Sequence, residues 1–303
     1  MKNGTIWKDI NGKDIQAHGG CILCHKGIYY WYGEHKGADN CPGKFQVDSI
    51  GISCYSSCDL LHWKYEGLVF ESNKDDPESM LHFSKVMERP KVLYNSKNNN
   101  FVLWMHIDRR DYSYAGVGIA VSPSPTGPFE LIKVTVPNRC DSRDMTLFQD
   151  TDGTAYLIHS TDWNKTMCIA RLNDSYTDLD GLYVYTMIDQ EREAPAPFFH
   201  DGTYYMITSG CTGWQPNAAL FSQCTHLLGK WKLIDNPCRG EHASKTFFGQ
   251  SSFVFQHNGK FYLMLDHWIP HDLKSSGYSI LPIEIAKDKT ITVPWTEEWN
   301  GIT

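Results

Sequence analysis

Glu193-Ala194-Pro195-Ala196 is followed at once by the hairpin Pro197–Gly210, two aromatic-rich strands joined at Asp201-Gly202. An Asp-Gly pair between two such runs marks a tight β-hairpin. The same unit of polar leader, strand, turn and strand occurs four more times. Its other leaders are Gln16-Ala17-His18-Gly19, Glu88-Arg89-Pro90-Lys91, Ser142-Arg143-Asp144-Met145 and Gln250-Ser251-Ser252-Phe253. The hairpins that follow are Cys21–Gly33, Val92–His106, Thr146–Ser160 and Val254–His267, turning at Lys26-Gly27, Asn98-Asn99-Asn100, Asp152-Gly153 and Asn258-Gly259. Successive turns lie roughly 50 residues apart (about 73 for the first step), the period of a β-propeller with one four-stranded blade per repeat. The expectation is an all-β, five-bladed propeller in a single domain over residues 1–303. The inner strands of such a ring line one channel, so Gln16, Glu88, Asp144, Glu193 and Gln250 should converge at one end of it.

The second halves of the repeats agree. Ser56–Trp63, Ser122–Phe129 and Ser222–Trp231 each run from a strand-ending serine through a polar turn to an aromatic that opens an outer strand. Sustained 3.6-residue apolar periodicity is missing, so helix should be scarce. The acidic stretch Glu71–Glu78 reads as a surface loop near the channel mouth. The tail around Trp295 and Trp299 is expected to cross the edge of blade one and help close the ring.

Composition narrows the partners. The 303 residues are 41% hydrophobic and 21% charged with a net charge of −7, which argues against nucleic acid or an anionic membrane. Aromatics reach 13%, with 10 Trp and 16 Tyr; propeller blades use many of these, and some are available for stacking on sugars. The first residues carry no apolar signal-peptide core. A cytoplasmic location is expected if the chain is complete, and a secreted or periplasmic one if a leader has been removed. A monomer is expected. The ten cysteines read as reduced, small buried hydrophobes; Cys21 and Cys24 have C-x-x-C spacing, but positions three apart on a strand face opposite ways.

Three acids at one register in a closed channel raise one another's pKa, the situation a glycosidase uses to keep one carboxyl protonated beside a carboxylate. The alternative is a set of blade-to-blade salt bridges with Arg89, Arg143 or Arg192, which stand beside Glu88, Asp144 and Glu193. Gln250 and Gln16 are not bases in their ordinary amide form, and Gln250 also reads as a hydrogen-bonding strut. The residues alone therefore supply an acid and helpers but no base. Trp214, between Gly213 and Pro216 in a loop after the fourth hairpin, could stack on a galactose-type ring or serve the core. Tyr112 and Asn164 fall in the corresponding loops of blades two and three, and Glu34 ends a strand of blade one.

Gln16–Gly20, Tyr29–Glu34, Glu88–Val92, Asp141–Phe148, Arg192–Ala196, Ser209–Asn217 and Asn236-Pro237-Cys238 together resemble glycoside hydrolase family 43, most closely its exo-β-1,3-galactanase (galactan 1,3-β-galactosidase) branch. The resemblance spans nearly the whole chain. It implies a five-bladed propeller and hydrolysis of an oligo- or polysaccharide with inversion of the anomeric carbon. It implies that Glu193 is the general acid, that Asp144 orients it and modulates its pKa, and that Glu88 contacts substrate. It implies that Gln250 holds the attacking water, with an imidic acid tautomer as one form able to do so, and that Glu34, Tyr112, Asn164, Thr212 and Trp214 touch sugar. Many members of the wider family place an Asp base in blade one; this chain has Gln16 there, as the branch does. Where the branch usually reads Asp-Arg-Trp, this chain reads Asp266-His267-Trp268, a difference that bears on recognition beyond the terminal galactose. No cofactor is expected, and no ligand spacing supports the channel calcium of some family members. The expected activity is inverting release of galactose from β-1,3-galactan or arabinogalactan-derived oligosaccharides. The alternatives are an exo-acting β-galactofuranosidase or α-L-arabinofuranosidase of the same family, and a non-catalytic sugar-binding propeller.

Overall fold

The structure is a computed structural model that describes residues 1–302. Five antiparallel sheets stand in a ring. The inner strands are His18–His25, Val86–Asn95, Met145–Gln149, Arg192–His200 and Gln250–His257, each hydrogen-bonded to the strand that follows it through the tight turns expected. A two-residue strand, Cys238–Arg239, pairs in parallel with Ile291–Pro294 and gives blade five a fifth strand. Among the described residues the helical segments are short 3₁₀ turns, and no helix is long and apolar enough to cross a membrane.

The apolar residues of the alternating strands meet between blades rather than in one central core. Five buried clusters result, one at each blade-to-blade interface. Trp63, Phe129 and Trp231, the aromatics that precede the outer strands, are all buried in them. The tail crosses to blade one as expected: the Trp299 indole donates to the Leu60 carbonyl at 2.8 Å, and the amino terminus donates to the Trp299 carbonyl at 2.7 Å. All ten cysteines are free, but only Cys21, Cys54, Cys168, Cys224 and Cys238 are buried as expected; Cys24 and Cys58 are exposed and the other three are half-buried.

Four inner strands carry a β-bulge near their first residues, at His18/Cys21, Glu88/Lys91, Glu193/Ala196 and Ser251/Phe253. In the first three the residue after the one that opens the bulge is left-handed: Gly19 at φ 57°, Arg89 at 53° and Ala194 at 53°. A bulge bends the strand and re-aims a side chain, here toward the end of the channel. This register corrects the reading of blade one. The counterpart of Glu88 and Glu193 is His18, opposite Glu34, and not Gln16. Gln16 precedes the strand and donates its side-chain amide to the Lys274 carbonyl at 2.7 Å.

Candidate active site

At the bulged end of the channel a cavity of about 330 Å³ opens, lined among others by Glu34, Glu88, Asp144, Glu193, Gln250 and Trp268. Arg89 is its hub. Its guanidinium forms a fork with Asp144, Nε to Oδ1 and Nη2 to Oδ2, both at 2.8 Å. Nη2 also donates to Gln250 Oε1 at 2.7 Å, and the Arg89 backbone N–H donates to Glu34 Oε1 at 3.0 Å. One side chain thus joins residues of blades two, three and five, and its left-handed backbone reaches blade one. The salt-bridge alternative holds for Asp144, whose partner is Arg89 from the neighbouring blade.

Glu193 accepts from Gln250 Nε2 at 3.1 Å and from Asn164 Nδ2 at 3.4 Å. Burial pushes its carboxyl up to about 8, the nearby Asp144 charge adds to the rise, and Arg89 opposes it. A carboxyl in this setting keeps its proton at neutral pH, as a general acid requires.

Gln250 is held at all points. Oε1 accepts from Arg89 Nη2 and from the Trp268 indole at 3.0 Å, while Nε2 donates to Glu193 and to Ser209 Oγ at 3.1 Å. Guanidinium and indole are donors only, so the oxygen end of this amide is unambiguous. An imidic acid would place an O–H against those two donors; the surroundings favour the ordinary amide.

The opposite wall is a chain of charges. Lys36 Nζ lies 2.7 Å from Glu34 Oε2 and 3.4 Å from Glu88 Oε1, and Tyr112 Oη donates to the same Glu88 oxygen at 3.1 Å. Burial raises the Glu34 pKa against the pull of Lys36. For Glu88, burial is outweighed by Lys36, His106 and Arg89, and its pKa falls below the usual value. Its contacts with Lys36 and Tyr112 both fall on Oε1, and Glu88 lines the cavity.

Of the residues expected at the site, Glu34, Glu88, Tyr112, Asp144, Asn164, Glu193, Trp214 and Gln250 all line the cavity. Thr212 is not brought to it: its exposed hydroxyl donates to the Gln215 carbonyl and accepts from Asn217 Nδ2 at 2.8 Å, bracing the loop that carries Trp214. His267 is buried and shares a 2.7 Å hydrogen bond with Ser279 Oγ; its strand neighbour Trp268 is the one that reaches the cavity. The stretch Glu71–Glu78 does not line the cavity, and the loop that carries Lys36 walls it instead. Unanticipated members are Arg89, Lys36, His106 and Trp268. Arg89 and Trp268 stand inside the leader and the Asp-His-Trp run, so proximity to Glu88 and Asp266 was a usable signal; Lys36 gave none. Among the described residues no group of three or more His, Cys, Asp or Glu is arranged to hold a metal ion.

The sequence profile described as "Glycosyl hydrolases family 43" matches residues 20–264. No curated protein sequence matched the chain. Among solved structures, a GH43 β-1,3-galactosidase with galactodeoxynojirimycin is 37% identical, with a TM-score of 0.92 over 99% of this chain and 100% of its own. The exo-β-1,3-galactanase from Phanerochaete chrysosporium, solved with β-1,3-galactotriose in an acid-to-amide variant, is 31% identical with a TM-score of 0.87, over 97% of this chain and 66% of its own. The exo-β-1,3-galactanase from Clostridium thermocellum is 33% identical with a TM-score of 0.86, over 97% and 65%. Profile, fold and carboxylate cluster agree: the chain belongs to glycosyl hydrolases family 43.

Proposed function

We propose that this glycoside hydrolase is an inverting exo-β-1,3-galactosidase that releases galactose from the end of a β-1,3-galactan chain or oligosaccharide. The observation that carries this reading is the Glu193 carboxyl, raised to about 8 by burial and by Asp144. It faces a cavity whose floor is the Arg89–Asp144–Gln250 network. The similar proteins named above, a β-1,3-galactosidase and two exo-β-1,3-galactanases, support the choice of sugar and linkage.

In the reaction Glu193 gives its proton to the departing oxygen, and Asp144, fixed by Arg89, stabilises positive charge growing on the ring. The attacking water sits on the far face, held by Gln250 once the sugar has displaced the Gln250–Glu193 hydrogen bond. As an amide Gln250 orients that water by donation but does not take its proton. Glu88 is the acceptor this reading favours, because its pKa lies below the usual value, it lines the cavity, and its contacts with Lys36 and Tyr112 both use Oε1.

The test is to incubate the enzyme with β-1,3-galactobiose and with aryl furanosides, and to follow the first product anomer by proton NMR. Release of α-galactose from the disaccharide supports the reading. Release from furanosides alone would replace galactopyranose with a furanose, and binding without release would make the propeller a sugar-binding module. Glu193→Gln should lower kcat by roughly 10²–10⁴.

A further inference from the structure

Trp163 is the most exposed of the large apolar side chains, at 69%, yet it is far from loose. The backbone N–H groups of Asp162 and Trp163 donate to the two carboxylate oxygens of Asp141 at 2.7 and 3.0 Å, and the Thr161 hydroxyl donates to the same carboxylate at 2.9 Å. Asp141 also accepts from Arg143 Nε at 3.2 Å, and the Arg143 guanidinium lies over the Trp163 ring, 4.1 Å from its centroid. Asp162, Trp163 and Asn164 are left-handed in succession, at φ 50°, 55° and 66°. Such residues are strained, on the order of 1–3 kcal/mol each, and persist where the surroundings over-determine them. Here the strained turn aims Asn164 inward at Glu193 and Trp163 outward.

The geometry points to Trp163 as a stacking platform for a sugar on the leaving-group side of the scissile bond. This rests on the proposed function. A general acid lies beside the oxygen it protonates, so the departing part of the substrate leaves past Glu193. Asn164 touches Glu193, and the residue before it in the chain presents an exposed indole held against Arg143. Arg143 lines the cavity and covers one side of that ring; the exposed side remains for the apolar face of a galactosyl ring. Trp214, from blade four, stands edge-on to Trp268 with ring centroids 5.9 Å apart and is separate from this platform.

The experiment compares wild type, Trp163→Ala and Trp163→Phe on β-1,3-galactotriose and on an aryl β-galactoside, which has no sugar on the leaving side. The expected result is a loss of kcat/KM for Trp163→Ala on the trisaccharide that exceeds its loss on the aryl galactoside by about tenfold, on the scale of one aromatic stacking contact, with most of it restored in Trp163→Phe. Equal losses on both substrates, or none, would overturn the assignment. If the wild type cleaves no β-1,3-galactoside, the proposed function fails separately. Titration of β-1,3-galactotriose by tryptophan fluorescence then decides the platform: weaker binding in Trp163→Ala supports it, and equal or absent binding overturns it.

Discussion

Arg89 and Asp144 face each other through two parallel N–H···O contacts of 2.8 Å, and the guanidinium Nη2 that completes the fork also holds Gln250 Oε1 at 2.7 Å. The pair is largely screened from solvent, at 7% and 18% exposure. A fork of this kind fixes orientation as well as charge. It aims both the Asp144 carboxylate and the Gln250 amide at Glu193 from a single planar group.

Lysine would keep the charge and lose the fork. Arg89→Lys should therefore fold, as judged by an unchanged thermal midpoint within a few degrees, and lose kcat by about 10²-fold or more, equivalent to roughly 2.7 kcal/mol of transition-state stabilisation. Steady-state kinetics on β-1,3-galactobiose would check it. A kcat within threefold of wild type would mean that positive charge alone suffices.

As the proposed general acid, Glu193 must be protonated to act. With its carboxyl raised to about 8, activity should hold through neutral pH and decline as pH rises through about 8. The same shift has a stability sign. The folded protein holds a proton that the unfolded chain releases near the ordinary value of 4.5, so this group's stabilising contribution is full below that value and is lost as pH rises toward 8. Glu193→Gln should match wild type in thermal midpoint at acidic pH and exceed it at pH 9. Equal midpoints at pH 9 would show that Glu193 ionises in the fold without penalty.

Lys91 is fully buried with no carboxylate beside its ammonium, which donates to the Gly19 carbonyl at 2.6 Å and to the Arg89 carbonyl at 3.4 Å. It ties together the bulges of blades one and two. Burial lowers its pKa to about 8 from the ordinary 10.5. Between those values the folded protein has released a proton that the unfolded chain retains, so wild-type stability gains from this group as pH rises across that window. Lys91→Met leaves two buried carbonyls without a donor, at a cost of about 1–3 kcal/mol. The gap in thermal midpoint between wild type and Lys91→Met should widen from pH 7 to pH 9.5. A gap that narrows would mean the ammonium is stabilised by something other than the two carbonyls.

The blades are legible in the sequence because hairpins are local: Asp152-Gly153, Asp201-Gly202 and Asn258-Gly259 announce their turns without reference to the rest of the chain. Glu88, Asp144, Glu193 and Gln250 are legible for the same reason, since each sits eight to ten residues before a hairpin turn. What escaped is what the bulges and ring closure decide. A bulge shifts the register after its first residue, and Gly19-Gly20 offers no side chain to mark the shift, so the sequence points to Gln16 where the register places His18. Arg89 was legible as a blade-to-blade salt-bridge partner, but only its left-handed backbone, which turns it across the channel, selects Asp144. Lys36 reaches Glu34 and Glu88 from an irregular loop, and no periodicity reports the path of a loop. Thr212 lay in the right segment, but its hydroxyl closes that loop on itself.

Lys36 carries the last prediction. Its ammonium serves two carboxylates, 2.7 Å from Glu34 and 3.4 Å from Glu88, and Glu88 stays below its usual pKa because Lys36, His106 and Arg89 outweigh burial. Lys36→Met removes the largest of those three attractions, so the Glu88 pKa rises. If the ionised Glu88 takes the proton of the attacking water, the acidic limb of the kcat/KM profile moves to higher pH, while the alkaline limb set by Glu193 stays near 8. Stability follows the same sign. A carboxylate with a depressed pKa stabilises the fold above its unfolded value, and that contribution disappears as pH falls through the folded one. Without Lys36 the contribution is lost, so acid unfolding should begin at higher pH in Lys36→Met than in wild type, and Lys36→Arg should restore part of both effects. Acid unfolding that shifts while the acidic limb does not would keep Lys36 as a structural counter-ion and remove Glu88 from proton transfer.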